Sequence, residues 1–410
     1  MLFRSCVGCV WCWVAVFGDA FWAERALSLA CLLLTLIVGR HILRATGSAV
    51  PTWWWCLLVL VMPITTHVAK NGYLEAQLTL LMFVGVLAGW QAYVHTGWRR
   101  ILLAGVLGAC TSAGLLIKGP VGLLPLGAVP AALWFYHKEF RAPAQIGTLG
   151  TLVVLATAGV VLAQEEARVS LMLYLEHQVA ASISGDRPAE HERAYLLYHL
   201  ATNVGIAAVI AAVVSRTFRQ HRLTGFWLVL ALAATLPLLL SSRHYRHYLL
   251  PALPCWAMVI AHWMNAPKSS ALRSPDRWRL MAQVICAASL VFTVFIGSRH
   301  WGAPGDHAPR LQALGDIAAR MPTGRSLVYC PDALDLRSQA YLYRHHRVRS
   351  VPLTAAAPAA ATKQPTIPVA APIAAGDDWL ICGPAEELAA AASAIALTDG
   401  HWLIPPRTKP

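Results

Sequence analysis

The sequence predicts a mainly α, polytopic helical membrane protein with a small C-terminal α/β domain, and three observations predict it. Of its 410 residues, 57% are hydrophobic and only 13% charged, too apolar a balance for a soluble chain of this length. Apolar runs able to cross roughly 30 Å of hydrocarbon recur near 26–43, 53–68, 75–94, 101–117, 120–136, 146–163, 200–214, 225–241, 248–264 and 280–297. They predict about ten transmembrane helices. Past residue 298 the long runs give way to short strand and helix patterns.

The loops between the runs alternate in charge. One set carries Arg40 and Arg44, Arg99 and Arg100, Lys138 and Arg141, Arg216, Arg219 and Arg222, then Lys268, Arg273, Arg277 and Arg279. This set is expected on the cytoplasmic side. The other set holds Lys70, Lys118, the stretch 164–195 and the segment 241–247, with nearly all the loop acids. It is expected outside, in the periplasm, together with both chain ends. The net charge of +13 therefore expresses topology and predicts membrane lipids, and no nucleic acid, as partners, because the basic residues form separate membrane-flanking clusters.

Three regions lie outside the expected 26–297 transmembrane domain or interrupt it. Residues 1–25 are rich in Trp and Cys and lack the pattern of a cleaved signal, so they predict an interfacial segment feeding the first span, with Trp11, Trp13 and Trp22 at the headgroups. Residues 164–195 form an outside loop. The third region, 298–410, reads as a periplasmic α/β domain: Ser326 to Cys330 and Asp378 to Cys382 are expected strands, and Leu334 to His346 and Ala385 to Ala396 expected helices. An Ala/Pro-rich linker, 354–375, separates them. Cys330 and Cys382 close neighbouring candidate strands, and two readings stand: a disulfide, or two buried thiols.

Cys6, Cys9 and Cys12 share one helical face among Val and Trp with no fourth ligand close in sequence, so packing is the better reading than a metal site. His177, His191, His199, His244 and His247 have no compact ligand spacing either. Neither a metal nor another cofactor is expected.

Two cationic motifs carry the candidate chemistry. Lys118, in Leu115-Leu116-Ile117-Lys118-Gly119-Pro120-Val121-Gly122, separates two membrane-length runs. An ammonium there is costly unless it faces an aqueous cleft or an anion. Gly119 frees the backbone to turn, and Pro120 suits the first position of a new helix. The segment Ser241-Ser242-Arg243-His244-Tyr245-Arg246-His247-Tyr248 brings two arginines and two tyrosines to a span mouth on the same expected side. Arginine forks match phosphate oxygens, and a tyrosine hydroxyl completes such a contact. The alternative reading of both motifs is headgroup anchoring.

With these motifs in view, the sequence resembles bacterial lipid-linked glycosyltransferases of the GT-C type, in particular the undecaprenyl-phosphate-aminoarabinose lipid A transferases and the protein O-mannosyltransferase-like group. Phe17-Gly18-Asp19 through Arg25, Asn71 through Thr79, Ile117 through Gly122 and Arg246 through Pro251 occur in that family's order. The resemblance spans about residues 10–265. It implies transfer of a sugar from a polyprenyl-phosphate donor to an envelope acceptor, lipid A or a protein, at the outer face of the inner membrane.

By matching motifs, Lys118 would bind the donor phosphate and Tyr248 assist, with Arg243 and Arg246 assigned as neighbours on physical grounds. Glu75 stands where the family usually has Asp. Glu176-His177 is similar to a family segment that leads to a basic residue, yet Ala180 and Ala181 occupy that residue's expected place. The resemblance also implies that the family's opening helix and first outside loop, with its catalytic Asp, are missing before Met1. Glu75, Asp186 and Glu190 are then the candidate catalytic carboxylates, the last two in the acidic cluster of the outside loop, which also reads as an ordinary solvated loop. Competing classes are a transporter or flippase of lipid-linked substrates, which would show repeats or broken helices near the midplane, and a non-catalytic truncated homologue.

Overall fold

The computed structural model describes residues 21–165, 167–168, 171, 192–214, 222–240, 244–263 and 275–299, with four helical residues between 314 and 319 and five short strands farther on. The chain divides into two compact units, Met1–Ala303 and Pro304–Pro410.

The first unit is helical: α1 Phe21–Ala45, α2 Thr52–Leu60, α3 Pro63–Asn71, α4 Glu75–Val94, α5 Trp98–Lys118, α6 Leu124–His137, α7 Arg141–Leu162, α8 Arg193–Val214, α9 Arg222–Leu240, α10 Leu253–Trp263 and α11 Pro275–Arg299. Single 3-10 turns, Gly119–Leu123 and Arg246–Leu249, follow α5 and precede α10. Phe21 to Arg25, expected in an interfacial segment, belong to α1 because nothing in Phe-Trp-Ala-Glu-Arg interrupts the helix.

Six segments among the described residues are long and apolar enough to cross a membrane, or seven if one bent pair is a single span. That is fewer than the expected ten, for identifiable reasons. The run 53–68 is not one helix: α2 and α3 meet at 71°, because Pro63 starts α3 at its first turn and cannot continue α2. The runs 248–264 and 280–297 yield only shorter apolar helices, Leu253–Trp263 and Gln283–Ile296. The runs 101–117 and 120–136 are contiguous as one helical path, Trp98–His137, of 40 residues, which is counted once although it contains both α5 and α6.

That path would be about 60 Å long if straight, twice the hydrocarbon thickness. It doubles back instead. A Cβ on Gly114 would lie 3.1 Å from the Gly122 Cα, and one on Gly85 would lie 3.2 Å from both Leu107 and Pro125. Residues flanking Lys118 are thus side by side, and α5 and α6 form an antiparallel hairpin against α4.

Several threonines inside the bundle are satisfied locally, as lipid favours. Thr35, Thr111 and Thr235 donate to carbonyls one turn back, at 2.8, 2.9 and 2.7 Å. At the α2–α3 break, the Ile64 N–H donates to Asn203 Oδ1 of α8 at 3.0 Å, and Thr65 Oγ1 donates to the Val59 carbonyl at 2.8 Å. The core is aromatic: Trp54, Trp55, Phe83, Phe226 and Trp227 are fully buried. Trp55 stacks on Phe83, which stacks on Trp227, and the Trp55 indole donates to the Pro254 carbonyl at 3.1 Å.

The second unit contains one sheet of β1 Ser326–Tyr329, β2 Arg349–Pro352, β3 Trp379–Cys382, β4 Ile395–Ala396 and β5 Trp402–Ile404, in the order β2-β1-β3-β5-β4. β1 pairs in parallel with β2 and β3, whereas β5 runs antiparallel to β3 and β4. Ile395 and Ala396, expected to end a helix, are instead a strand held by Leu403 and Trp402, since pairing overrides the preference of an Ala-rich run. The linker 354–375, the helix expected at 334–346 and Cys330 lie outside the described residues.

Candidate active site at the Lys118 end of the bundle

Three sequence segments converge at one end of the helical unit. Lys118 closes α5, Glu75 opens α4, Tyr73 precedes Glu75, and Arg246 to Tyr248 form the 3-10 turn before α10. Gly119 follows Lys118 with φ +70°, a conformation that favours glycine, so the chain can leave α5 at once. Gly122 then lies against the Gly114 and Leu115 backbone, where a Cβ would collide.

The Lys118 ammonium donates to Glu75 Oε1 and pairs with it. Helix direction favours this placement: a carboxylate in the first turn of α4 and an ammonium in the last turn of α5 each oppose the adjacent helix-end charge. The Glu75 side chain is 4% exposed and that of Lys118 19% exposed. The carboxylate is therefore sealed in, whereas the Lys118 side chain keeps some exposed surface. A carboxylate buried this deeply is tolerable only with a partner. His247 Nε2 approaches the same oxygen at 3.6 Å.

Tyr248 meets Lys118 through its ring. The ammonium lies 3.6 Å from the ring centroid, a cation–π contact that supplies electron density without a competing negative charge. Around this pair runs an aromatic column. His247 stacks on Tyr73 at 4.1 Å between centroids and 5° between planes, Tyr73 meets His67 at 5.5 Å, and Tyr245 stacks on His247 at 5.4 Å. Arg246 is exposed and donates from Nη2 to His67 Nδ1 at 3.3 Å; Asn71 Nδ2 donates to the same nitrogen at 3.1 Å.

Of the residues singled out in the sequence, the structure brings Lys118, Glu75 and Tyr248 into direct contact, and joins Arg246 to them through His67, Tyr73 and His247. Arg243, Asp186 and Glu190 lie outside the described residues, as do Glu176, His177 and residues 1–20. His67, Tyr73 and His247 were missed as site residues. The signal was present: His247 sits between Arg246 and Tyr248, and Tyr73 two residues before Glu75. Only stacking shows their use. Among the described residues, no group of three His, Cys, Asp or Glu side chains is placed to hold a metal ion.

The fold has known counterparts. Two crystal structures of ArnT from Cupriavidus metallidurans superimpose on this chain, one bound to undecaprenyl phosphate and one in the apo state. The TM-scores are 0.63 and 0.64, and each match covers 95% of this chain and 85% of ArnT. ArnT is an undecaprenyl-phosphate-aminoarabinose lipid A transferase of the GT-C class. This chain shares the fold of ArnT. Sequence identity is 13%, so the likeness is one of architecture. No protein-family model matches the sequence, and no curated protein does.

Proposed function

We propose that this chain is a membrane glycosyltransferase that moves a sugar from a polyprenyl-phosphate carrier to an envelope acceptor, lipid A or a protein, at the periplasmic face of a bacterial inner membrane. The observation that carries this reading is the Lys118 ammonium held between Glu75 and Tyr248, on a side chain that keeps some exposed surface. It sits in a fold whose counterpart ArnT has a structure with undecaprenyl phosphate bound.

In the reaction, an acceptor oxygen attacks the anomeric carbon as the bond from that carbon to the phosphate oxygen breaks. The bonding pair leaves with the polyprenyl phosphate, and the acceptor proton passes to a base or to water. Inversion at the anomeric carbon is expected from a single displacement. Charge growing on the phosphate is what the protein must stabilise. Lys118 does this with the ammonium hydrogens not engaged by Glu75, Arg246 adds a second cation at the mouth, and Arg243 adjoins it in sequence. Glu75, paired and buried, acts as a positioning residue that keeps Lys118 charged and aimed. Asp186 and Glu190 are the carboxylates assigned to acceptor activation.

Membranes carrying the chain are incubated with a radiolabelled polyprenyl-phosphate sugar, and labelled lipid and protein are separated. Label in an acceptor with wild type, and at least 100-fold less with Lys118→Ala, is the expected result; equal label from the variant overturns the role of Lys118. The broken α2–α3 pair favours a second reading, transport of a lipid-linked substrate. Carrier movement across vesicles without label in any acceptor would select it.

A further inference from the structure

The opposite end of the bundle carries a groove that the transfer chemistry does not use. It has a volume of about 540 Å³ and lies between α1, α4 and α5. His41 and Arg44 of α1 and Gln91 of α4 form its mouth, and Val84, Ala88 and Val106 belong to its wall. The Trp90 indole donates to the Ala45 carbonyl at 3.1 Å, which fixes α4 against the end of α1 beside the mouth.

The groove is graded along the bundle axis. Arg44 and Gln91 both stand within the last turn of their helices, α1 and α4. Val84 is seven residues before Gln91, about 10 Å deeper into the apolar layer, and Val106 is eight residues into α5, about 12 Å from its start. Polar donors at one end and an apolar trough of about 10 Å below them match a charged headgroup on an acyl chain.

The cations at the mouth are available. Arg44 and His41 are exposed, and among the described residues neither makes an ion pair or a side-chain hydrogen bond. Arg40, of the same sign, lies one turn from Arg44, and Arg100 at this end donates to the neutral Gln145 at 3.0 Å. Glu139, an acid of the same end, accepts from the Tyr93 hydroxyl at 3.0 Å. An uncompensated arginine over an apolar trough between helices is the form of a site for an anionic lipid headgroup.

We propose that this groove binds one anionic phospholipid from the leaflet at the Arg40–Arg44 end, its phosphate on Arg44 with His41 and Gln91 as further donors, and one acyl chain along Val84, Ala88 and Val106. The groove itself is read apart from the transfer reaction, and only the choice of occupant rests on the function proposed above. That choice is a phospholipid and not a polyprenyl phosphate, because the cationic site assigned to that carrier is at the other end.

Native mass spectrometry of the full chain in detergent tests this by titration with phosphatidylglycerol, with phosphatidylcholine of the same acyl chains, and with undecaprenyl phosphate. Phosphatidylglycerol is expected to bind more tightly than phosphatidylcholine. Arg44→Gln should weaken phosphatidylglycerol about fivefold, the effect of one interfacial cation, and leave phosphatidylcholine unchanged. Val84→Phe, which fills the trough without altering charge, should weaken both. Equal binding of the two phospholipids to wild type, or phosphatidylglycerol binding unaffected by Arg44→Gln, would mean non-selective surface lipid and overturn the proposal. Displacement of phosphatidylglycerol by equimolar undecaprenyl phosphate in wild type, lost in Arg44→Gln, would overturn the choice of occupant.

Discussion

The two ends of the helical unit handle charge in opposite ways. At the Arg40–Arg44 end, several charged side chains sit in solvated contacts: Tyr93 with Glu139 and Arg100 with Gln145 are exposed pairs, and Arg99 lies 5.7 Å from the ring centre of Trp98, which is 68% exposed. At the Lys118 end the groups are packed together. Glu75 is 3% exposed and meets Lys118 and His247, which in turn pack on the rings of Tyr248 and Tyr73. Exposed pairs contribute little because water competes for every partner. Packed groups depend on one another, since removing one strands the next without solvent. Charge in the first region fits anchoring to headgroups and orienting the chain, whereas charge in the second is held in a fixed geometry, as a reaction requires.

The largest test of this contrast is Lys118→Met. It leaves the Glu75 carboxylate buried without its ammonium, at an expected loss of about 3–5 kcal/mol. Thermal unfolding in detergent should show the loss, and Glu75→Gln in the same chain should restore most of it. Glu139→Gln at the solvated end should change stability by less than about 1 kcal/mol. Comparable losses at the two ends would remove the distinction.

The two glycine turns sharpen the comparison at the level of backbone. Gly97, before α5, and Gly119, after it, both have positive φ, but a Cβ on Gly97 meets nothing, whereas Gly122 in the second turn is pressed against the Gly114 backbone. Gly122→Val is expected to cost about 1–3 kcal/mol by forcing the α5–α6 hairpin apart. Gly97→Ala costs only the conformational penalty of about 1–2 kcal/mol. Chemical denaturation of the two variants ranks them, and an order in which Gly97→Ala is the worse would contradict the close packing behind Lys118.

The smallest effect separates ring from hydroxyl at Tyr248. Tyr248→Phe keeps the aromatic face beneath Lys118, and Tyr248→Leu removes it at an expected cost of about 0.5–2 kcal/mol. Unfolding midpoints should therefore place Phe near wild type and Leu below it. If Phe behaves like Leu, the hydroxyl and not the ring secures the ammonium.

Much of this architecture was legible along the chain because its cause is local. The span expected at 75–94 is α4, Glu75–Val94, and the turn expected at Gly119-Pro120 is where α5 ends. Lys118 and Tyr248 were readable as a pair on one side because loop charge alternates and sidedness is a one-dimensional property. The break at Pro63 was not legible as a break. An isolated proline within an apolar run is compatible with a kinked span, and the bend here is secured by Asn203, distant in sequence.

Glu75 shows the same limit at the site. Its position at the start of a span was evident, but a carboxylate reads alike as a base or as a partner until its neighbours are known.

By itself, then, the order of residues determined that this chain is a multi-helix membrane protein, where several helices start and stop, and which cations face the same side. These follow from hydrocarbon thickness, proline and glycine geometry and charge bias, each acting over one helix length. Tertiary structure alone decided that Lys118 pairs with Glu75 and lies over Tyr248, that Tyr73 and His247 stack beside them, and that α5 and α6 fold back on one another. Those contacts join residues 43 positions apart in one case and far more in others. They depend on which helix faces meet in the bundle, and pattern within any one helix does not encode its partner.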